Sequence, residues 1–258
     1  MLRLRNLGSG SSGNATLVEA RGLHRARRLL VDCGLGIREL EARLARAGVA
    51  PDELDAIFIT HEHADHTGCV MAFARRHRIT VWMSRGTFEG MGQPDFDGLL
   101  NLAADSQQVD LGEMCLTPFT VPHDAREPLQ LTCSDGATRW GILTDLGHAT
   151  AHVLEHLSGC DSLMLECNHD PQLLAQSSYP PFLKKRVGGR HGHLANADAA
   201  AILRAVAHEH LHTVVAAHLS LQNNRPDLAR AALAEALDCL PADIVVADAV
   251  EGTGWLTA

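Results

Sequence analysis

The sequence predicts a layered α/β fold in which helices cover mixed β-sheets. The chain has 258 residues, of which 46% are apolar, enough to bury a sizeable core. Strand-like segments crowd its first part, and apolar strands alternate with helical segments later. Runs of strands followed by βα units are typical of sheets with helices outside. Because linker-like stretches are short, we expect one domain over residues 1–258.

The individual elements follow from hydrophobic spacing and from capping residues. Apolar runs predict strands at residues 2–7, 16–19, 29–31, 56–59, 114–121, 130–133, 139–144, 162–166 and 213–217. Helical spacing predicts helices at residues 37–47, 67–77, 196–208 and 226–237. Gly48 is a plausible C-terminal stop for the first helix, and Asn196 is the expected N-cap of the third.

Composition narrows the possible functions. The formal net charge of −9 argues against a protein that grips nucleic acid with its whole surface, although a local basic strip stays compatible. No apolar run approaches the roughly 18–20 residues that span a bilayer, and the start of the chain lacks the pattern of a signal peptide. We therefore expect a cytoplasmic protein without membrane contact. Seven cysteines without a CxxC pair indicate reduced thiols rather than a disulfide framework.

The densest chemical signal is the segment HEHADH at residues 61–66, which directly follows an apolar strand. In an extended chain His61 and His63 point the same way, and a turn into the next helix can bring Asp65 and His66 towards the same point. Four ligands within six residues exceed the open first shell of one zinc ion and suit two adjacent cations. A histidine-rich surface loop is the plain alternative, but the position after a buried strand favours a metal site.

Further ligand candidates stand at three other strand ends. His123, Asp145 and His218 each follow an apolar run. Loops on a rigid scaffold often carry functional residues there. Taken singly, each of the three could be a cap or a surface residue. Together with the histidine segment, they are able to complete two coordination shells.

The same residues, in the same order, resemble the ligand set of metallo-β-lactamase-fold hydrolases. Further blocks resemble the YycJ (WalJ) branch of that family and extend over most of the chain. They are GSGSSGN at 8–14, VDCG at 31–34, VPHDA at 121–125, LTDLG at 143–147, ECNHD at 166–170, GHLAN at 192–196 and AHLSLQNN at 217–224. His148 departs from the branch, which often has an aromatic residue at that place.

The resemblance implies an αββα sandwich of two mixed β-sheets with outer helices, and a site with two divalent metal ions. The ions would be zinc or manganese, with iron also compatible. The implied ligands are His61, His63 and His123 for one ion and Asp65, His66 and His218 for the other. Asp145 would bridge the two ions. His193 resembles the histidine that related phosphodiesterases place near the scissile phosphate.

The implied reaction is hydrolysis of a phosphodiester by a hydroxide activated between the two metals, with Asp145 and His193 as catalytic residues. His193 would act as a general acid or a phosphate ligand, and a helix-capping or salt-bridged histidine is the plain alternative. Members of the branch are regarded as 5′-to-3′ DNA exonucleases of the bacterial cytoplasm. The expected partner is therefore nucleic acid, with DNA favoured over RNA, while the sequence leaves the oligomeric state open.

The candidate substrate-binding residues are polar or basic side chains close to the expected site. They are Ser11, Lys184, Lys185, Arg186, Arg190 and Ser220. The four basic residues of this set, at 184–186 and 190, form a basic strip that precedes His193 and could guide a phosphate backbone. Tyr179 and Phe182 could stack on a base, or they could equally pack in the core. A second basic run at residues 75–78 fits a solvated helix end better.

Other functions stay open on the same fold. One is hydrolysis of a small phosphodiester, thioester or lactam, against which the basic strip argues moderately. Another is a non-catalytic, metal-binding regulator, which the intact ligand set disfavours. A redox di-iron enzyme is also conceivable, but such enzymes typically carry a carboxylate where His63 stands.

Overall fold

A computed structural model describes residues 1–22 and 25–258 of the chain. Within these residues the strands are β1 (Leu2–Gly8), β2 (Ala15–Arg21), β3 (Ala26–Val31), β4 (Ala56–Phe58), β5 (Thr80–Met83), β6 (Leu100–Leu102), β7 (Val109–Asp110), β8 (Cys115–Thr120), β9 (Leu129–Ser134), β10 (Arg139–Leu143), β11 (Ser162–Glu166), β12 (Thr213–Ala217), β13 (Val245–Val246) and β14 (Leu256–Thr257).

The helices found in the same described ranges are α1 (Ile37–Arg46), α2 (Ala64–Thr67), α3 (Val70–His77), α4 (Arg85–Gly90), α5 (Ala151–Leu157), α6 (Pro171–Gln176), α7 (Pro181–Val187), α8 (Asn196–Val206) and α9 (Pro226–Leu237). Short 3₁₀ turns lie at Pro51–Glu53 and Pro241–Asp243. No helix in the described part of the chain is both long and apolar enough to cross a membrane.

The strands form two seven-stranded mixed sheets, as the sequence predicts. The first has the order β14-β1-β2-β3-β4-β5-β6, and the second has the order β13-β12-β11-β10-β9-β8-β7. In each sheet the hairpin strands are antiparallel, while β3 to β6 and β10 to β13 are parallel to one another. Parallel neighbours need crossover connections, and the helices between the strands supply them.

Three apolar clusters hold these layers together. The middle cluster lies between the two sheets and includes Phe58 from the first and Trp140 from the second. A second cluster packs α1 and α3 against the outer face of the first sheet, through residues such as Leu44 and Phe73. A third packs α5, α8 and α9 against the outer face of the second sheet, with Leu203 among its members. The order of layers is therefore helix, sheet, sheet, helix.

The topology brings several strand ends to one edge of the sandwich. Asp32 follows β3, and the histidine segment follows β4. In the second sheet Asp145 follows β10 and His218 follows β12 directly. These ends meet because β3 is parallel to β4 and β10 to β12 are parallel, so their carboxyl ends lie on the same side of each sheet.

Most predicted elements are confirmed, and two expectations were wrong in detail. The helix expected over 67–77 begins only at Val70, because Thr67 ends the short helix α2 and Gly68, with a positive φ of 30°, turns the chain before α3. Asn196 is not an N-cap: Ala195 holds that position, and Asn196 is the first residue of α8. The Asn196 side chain instead exchanges hydrogen bonds of 2.9 and 2.8 Å with Asn224.

A glycine is required where the loop after β3 meets the loop after β4. The Gly34 amide donates to Asn14 O at 2.9 Å, and a Cβ on Gly34 would overlap the backbone carbonyl of Asp65. We expect Gly34→Ala to lower the free energy of unfolding by about 2–3 kcal/mol, since backbone has to move to make room. Urea unfolding followed by circular dichroism measures this.

The matched control is Gly254→Ala, where a Cβ would meet no heavy atom within 4 Å. Its stability should stay within about 0.5 kcal/mol of wild type. Equal stability of both variants would contradict the close backbone contact at Gly34.

Candidate metal centre

The strand ends surround a cleft of about 350 Å³. Its polar floor includes His63, Asp65, Asp145, His193 and His218. Its more apolar lining residues are Tyr179, Leu183, Val187 and Leu219. A cleft with an apolar wall and a few converging polar groups has the usual form of a small ligand site.

Three histidines bring their ring nitrogens together on one side of the floor. His61 Nε2 lies 3.0 Å from His63 Nδ1, and His123 Nε2 lies 3.4 Å from the same atom. One nitrogen of each ring lies within 4.8 Å of the others. Three imidazole nitrogens at this spacing could hold a divalent cation.

A second group lies beside the first. Asp65 Oδ2 is 3.7 Å from His66 Nε2 and 3.8 Å from His218 Nε2. The Asp145 carboxylate reaches both groups, with Oδ2 3.1 Å from His66 Nε2 and Oδ1 3.9 Å from His123 Nε2. The structure thus gathers all seven predicted ligand residues around one point, with Asp145 between the two groups.

Fixed hydrogen-bond acceptors orient these rings. Asp32 Oδ2 lies 2.8 Å from His66 Nδ1, and the carbonyl oxygen of Gly192 lies 3.0 Å from His123 Nδ1. Because a carboxylate and a carbonyl only accept, Nδ1 of each ring donates, and in the neutral form of the ring Nε2 carries the lone pair that faces the cluster. Such outer contacts fix the tautomer and orientation of metal-binding histidines.

Asp32 also organises the start of the histidine segment. Its carboxylate accepts hydrogen bonds from the Thr60 amide at 2.9 Å and from Thr60 Oγ1 at 3.0 Å. The same hydroxyl lies 3.0 Å from His61 Nδ1 and can accept its hydrogen, which leaves His61 Nε2 directed at His63.

Glu166, like Asp32, belongs to the site although the sequence analysis gave it no role. Its side chain is fully buried, and Oε1 accepts from His193 Nδ1 at 2.8 Å and from His218 Nδ1 at 3.0 Å. Oε2 accepts from the amides of Leu146 and Leu194 at 2.9 and 3.1 Å. A charged residue closing an apolar strand, at the last position of β11, was the available signal.

The charged side chains of the site shift one another's pKa values. Burial alone would raise the pKa of Glu166, but His193 and His218 lower it to about 2. Burial alone would lower the pKa of His218, but Asp145, Asp65 and Glu166 raise it to about 10. Burial lowers the pKa of His61 well below its ordinary range, so that ring is neutral, whereas His218 has to lose a proton before its Nε2 can bind a cation.

Unpaired atoms test whether the residues fit a metal. Among the described residues, His218 Nε2 and Asp145 Oδ2 are buried without a well-directed hydrogen bond, and the ring nearest to Asp145 Oδ2 is His66, whose Nε2 lies 3.1 Å away. Buried polar atoms are rarely left so, because desolvation without a partner is costly. A cation in contact with both would compensate them, and imidazole with carboxylate suits zinc, manganese or iron. The residues present therefore fit divalent cations.

The distances alone would also allow a different group of four residues to hold a metal ion. Asp145, Glu166, His193 and His218 also place one potential ligand atom each within 4.8 Å of one another. The hydrogen bonds from His193 and His218 already occupy Glu166 Oε1, however, so this group is satisfied as a hydrogen-bonded network. The orphaned His218 Nε2 points instead to the group that contains Asp65.

Backbone conformation marks the same positions. Asp32, Asp145 and His218 have φ values of 62°, 55° and 56°, in the left-handed region that only a few per cent of residues other than glycine adopt. Asp32 and His218 directly follow β3 and β12, and Asp145 lies two residues after β10. Asp145 and His218 line the cleft, and Asp32 holds His66 from behind. Local strain of this kind clusters at functional sites.

The predicted substrate residues divide into two groups. Ser11, Arg186 and Ser220 line the cleft. Arg186 Nε donates to Asp124 Oδ2 at 2.6 Å at the cleft mouth. Lys184, Lys185 and Arg190 are not among the described residues that line it.

The residues beside the cleft include the remaining basic candidates and the two aromatic residues that could either stack on a base or pack in the core. Lys184 Nζ donates to Ala175 O, and the Arg190 carbonyl accepts from His148 Nδ1 at 2.8 Å. Phe182 is 74% exposed, so it is not a core residue, whereas Tyr179 is half-buried on the cleft wall.

The serine and glycine loop contributes to the frame of the site. Ser9 Oγ accepts the His218 amide at 2.7 Å, and Asn14 Oδ1 accepts the Gly10 amide at 2.8 Å. Ser9 and Asn14 therefore support the turn, while Ser11 is exposed at the cleft.

Comparison with known proteins agrees with the fold. The family profile described as Beta-lactamase superfamily domain matches residues 27–218. Exodeoxyribonuclease WalJ of Streptococcus pneumoniae is 32% identical, over 86% of this chain and 83% of its own. Exodeoxyribonuclease YycJ of Bacillus anthracis is 29% identical, over 90% of this chain and 88% of its own. The metallo-beta-lactamase fold protein YhfI from Bacillus subtilis superposes with a TM-score of 0.75 at 17% identity, over 99% of this chain and 98% of its own.

The coupled charges predict how stability depends on pH when chelator keeps ions away. Glu166 has a folded pKa of about 2 against an ordinary 4.5, so its contribution is present above pH 4.5 and is lost as pH falls. His218 has a folded pKa of about 10 against 6.5, so its contribution is present below pH 6.5 and is lost as pH rises. Urea midpoints should therefore peak between these two ordinary values.

Glu166→Gln should reduce the slopes on both sides of that maximum, because it removes the carboxylate that pairs with His193 and His218. The control is Glu209→Gln, whose side chain is 86% exposed. If Glu166→Gln and wild type have the same pH profile, the coupling described for Glu166 is refuted.

Proposed function

The chain belongs to the Beta-lactamase superfamily domain family, and from that premise we propose that it hydrolyses phosphodiester bonds at the 5′ ends of DNA with the help of two divalent cations. The observation that carries the proposal is one cleft that joins two groups of cation donors to a histidine held by a buried carboxylate. The proposed ligands are those expected from the sequence. His61, His63 and His123 face one ion, Asp65, His66 and His218 face the other, and Asp145 lies between them.

The proposed cations would add positive charge beside the carboxylates of Asp65 and Asp145, where a negatively charged phosphodiester has to bind. When bound, zinc or manganese ions act as Lewis acids towards the phosphodiester and lower the pKa of a water molecule to near neutrality. The remaining steps belong to the chain. Asp145, with one oxygen towards each group, holds the two groups at a fixed spacing.

His193 is the proposed proton donor. Its Nδ1 donates to Glu166 Oε1 at 2.8 Å, so Nε2 is the nitrogen left to face the cleft. A positioned histidine can give its proton to the leaving oxygen of the ester as the bond breaks. Glu166 stabilises the charged form of the ring and keeps its orientation, acting on the reaction through His193.

The walls of the cleft support a nucleotide as substrate. Tyr179 offers a ring face for a base or sugar, and Leu183 and Val187 extend this apolar surface. Arg186 presents a guanidinium at the mouth. We propose that Ser11 and Ser220 contact the phosphate at the scissile bond, and that Lys184, Lys185 and Arg190 contact the strand further away.

DNA is proposed in preference to RNA because relatives that match most of the chain are named exodeoxyribonucleases. The 5′-to-3′ direction follows the resemblance noted in the sequence. The net charge of −9 fits an enzyme that contacts its substrate through one local strip rather than through its whole surface.

A digestion panel tests this function directly. The purified chain, supplied separately with manganese, magnesium or zinc, is incubated with 5′- or 3′-labelled single- and double-stranded DNA and RNA. We expect release of the 5′ label from DNA in short products with manganese or zinc. Faster cleavage of RNA would contradict the DNA assignment. No cleavage in any lane would overturn the nuclease proposal and favour a small ester substrate.

Two substitutions separate proton transfer from metal binding. His193→Ala should lower kcat about 10²-fold or more with its metal content unchanged, because the ring donates a proton and is not in either ligand group. Asp145→Ala should abolish turnover and reduce metal content while the far-UV circular dichroism stays native.

The matched control is His191→Ala, an exposed histidine two residues from His193. It should behave as wild type in both assays. Loss of bound metal in His193→Ala would make His193 a ligand, and full activity of Asp145→Ala would remove the two-ion mechanism.

A further inference from the structure

Two thiols face each other behind the candidate metal centre. Cys33 Sγ and Cys69 Sγ lie 3.5 Å apart. Cys33 is buried two residues after β3, next to Asp32, and Cys69 is partly exposed between α2 and α3. Nothing in the proposed reaction uses either sulfur.

The backbones that carry these thiols are in direct contact. The Cys33 amide donates to His66 O at 2.8 Å, and the Cys69 amide donates to Cys33 O at 3.1 Å. A Cβ on Gly34 would overlap the Asp65 carbonyl, and a Cβ on Gly68 would crowd the Cys33 carbonyl. A disulfide has an S–S length of about 2.05 Å, so the sulfurs need to approach by about 1.5 Å. Segments already this close can provide that by small shifts.

We propose that Cys33 and Cys69 form a disulfide in response to peroxide and that this bond weakens cation binding by the group containing Asp65, His66 and His218. Cys69, the more exposed thiol, is oxidised first: peroxide gives its sulfur one oxygen, forming a sulfenic acid, and one water leaves. The Cys33 sulfur then attacks the sulfenic sulfur, the S–S bond forms, the S–O bond breaks and a second water leaves. Two thiols are oxidised and one peroxide is reduced.

The metal group would feel this bond through two short connections. Cys33 adjoins Asp32, whose carboxylate holds His66 Nδ1 at 2.8 Å, and its own amide holds the His66 carbonyl. Cys69 lies in the turn that ends α2, the helix that carries Asp65 and His66. Drawing the two sulfurs together therefore moves both supports of His66. Loss of such an outer contact typically lowers metal affinity 10–100-fold.

The test follows thiols and zinc in the same samples of the full chain. Protein is treated with hydrogen peroxide and unfolded, and its free thiols are alkylated and counted by mass spectrometry. Linked peptides are identified after digestion without reductant. Zinc affinity is measured in parallel by competition with a chromophoric chelator. We expect wild type to lose two alkylation sites as a Cys33–Cys69 peptide and to bind zinc about tenfold more weakly, the lower end of that range. A phosphine reductant should reverse both changes.

Variants make the result specific. Cys69→Ser and Cys33→Ala should each keep their zinc affinity after peroxide, and Cys239→Ser, remote in sequence from both, should respond as wild type. Peroxide that leaves both thiols free, or that oxidises Cys69 without linking it, would overturn the proposal. So would a disulfide with unchanged zinc affinity. The zinc effect rests on the proposed metal group whereas the disulfide does not. Failure of untreated protein to bind zinc would therefore count against that group, and the linked peptide is judged separately.

Discussion

The site depends on buried imidazole rings whose outer nitrogens are held by fixed acceptors. Asp32 holds His66 and Glu166 holds both His193 and His218, while each carboxylate also accepts backbone or hydroxyl donors. A buried carboxylate is costly unless its oxygens are paired, and here they are. Because Nδ1 of each of these rings is held, Nε2 faces the middle of the site. The backbone alone could not fix this orientation of the rings.

The fold makes this arrangement possible by bringing strand ends from two sheets to one edge. The first sheet supplies Asp32 and the histidine segment, and the second supplies Asp145, Glu166 and His218. Both sheets are anchored by the apolar cluster between them, so the two halves of the site are held at a fixed distance. The chemistry lies in loops, and the rigidity comes from the strands that precede them.

The sequence predicted the ligands better than their supports, for a physical reason. The histidine segment is local, and His123, Asp145 and His218 could be recognised because each follows an apolar strand. The partners of Glu166 could not, since they lie 27 and 52 residues away and nothing in a single strand indicates them. The break at Gly68 was missed because apolar spacing continues on both sides of it. Arg186 lines the cleft and Lys185 does not. This difference depends on how α7 packs, which the composition of the basic strip does not determine.

Anomalous X-ray diffraction from crystals of the manganese-loaded protein shows directly how many cations the site holds and which residues surround them. We expect two peaks: one bounded by His61, His63 and His123, the other by Asp65, His66 and His218, with Asp145 between them. Glu166 should contact only His193, His218 and backbone amides. A single peak, or a peak coordinated by Glu166 and His193, would contradict the account.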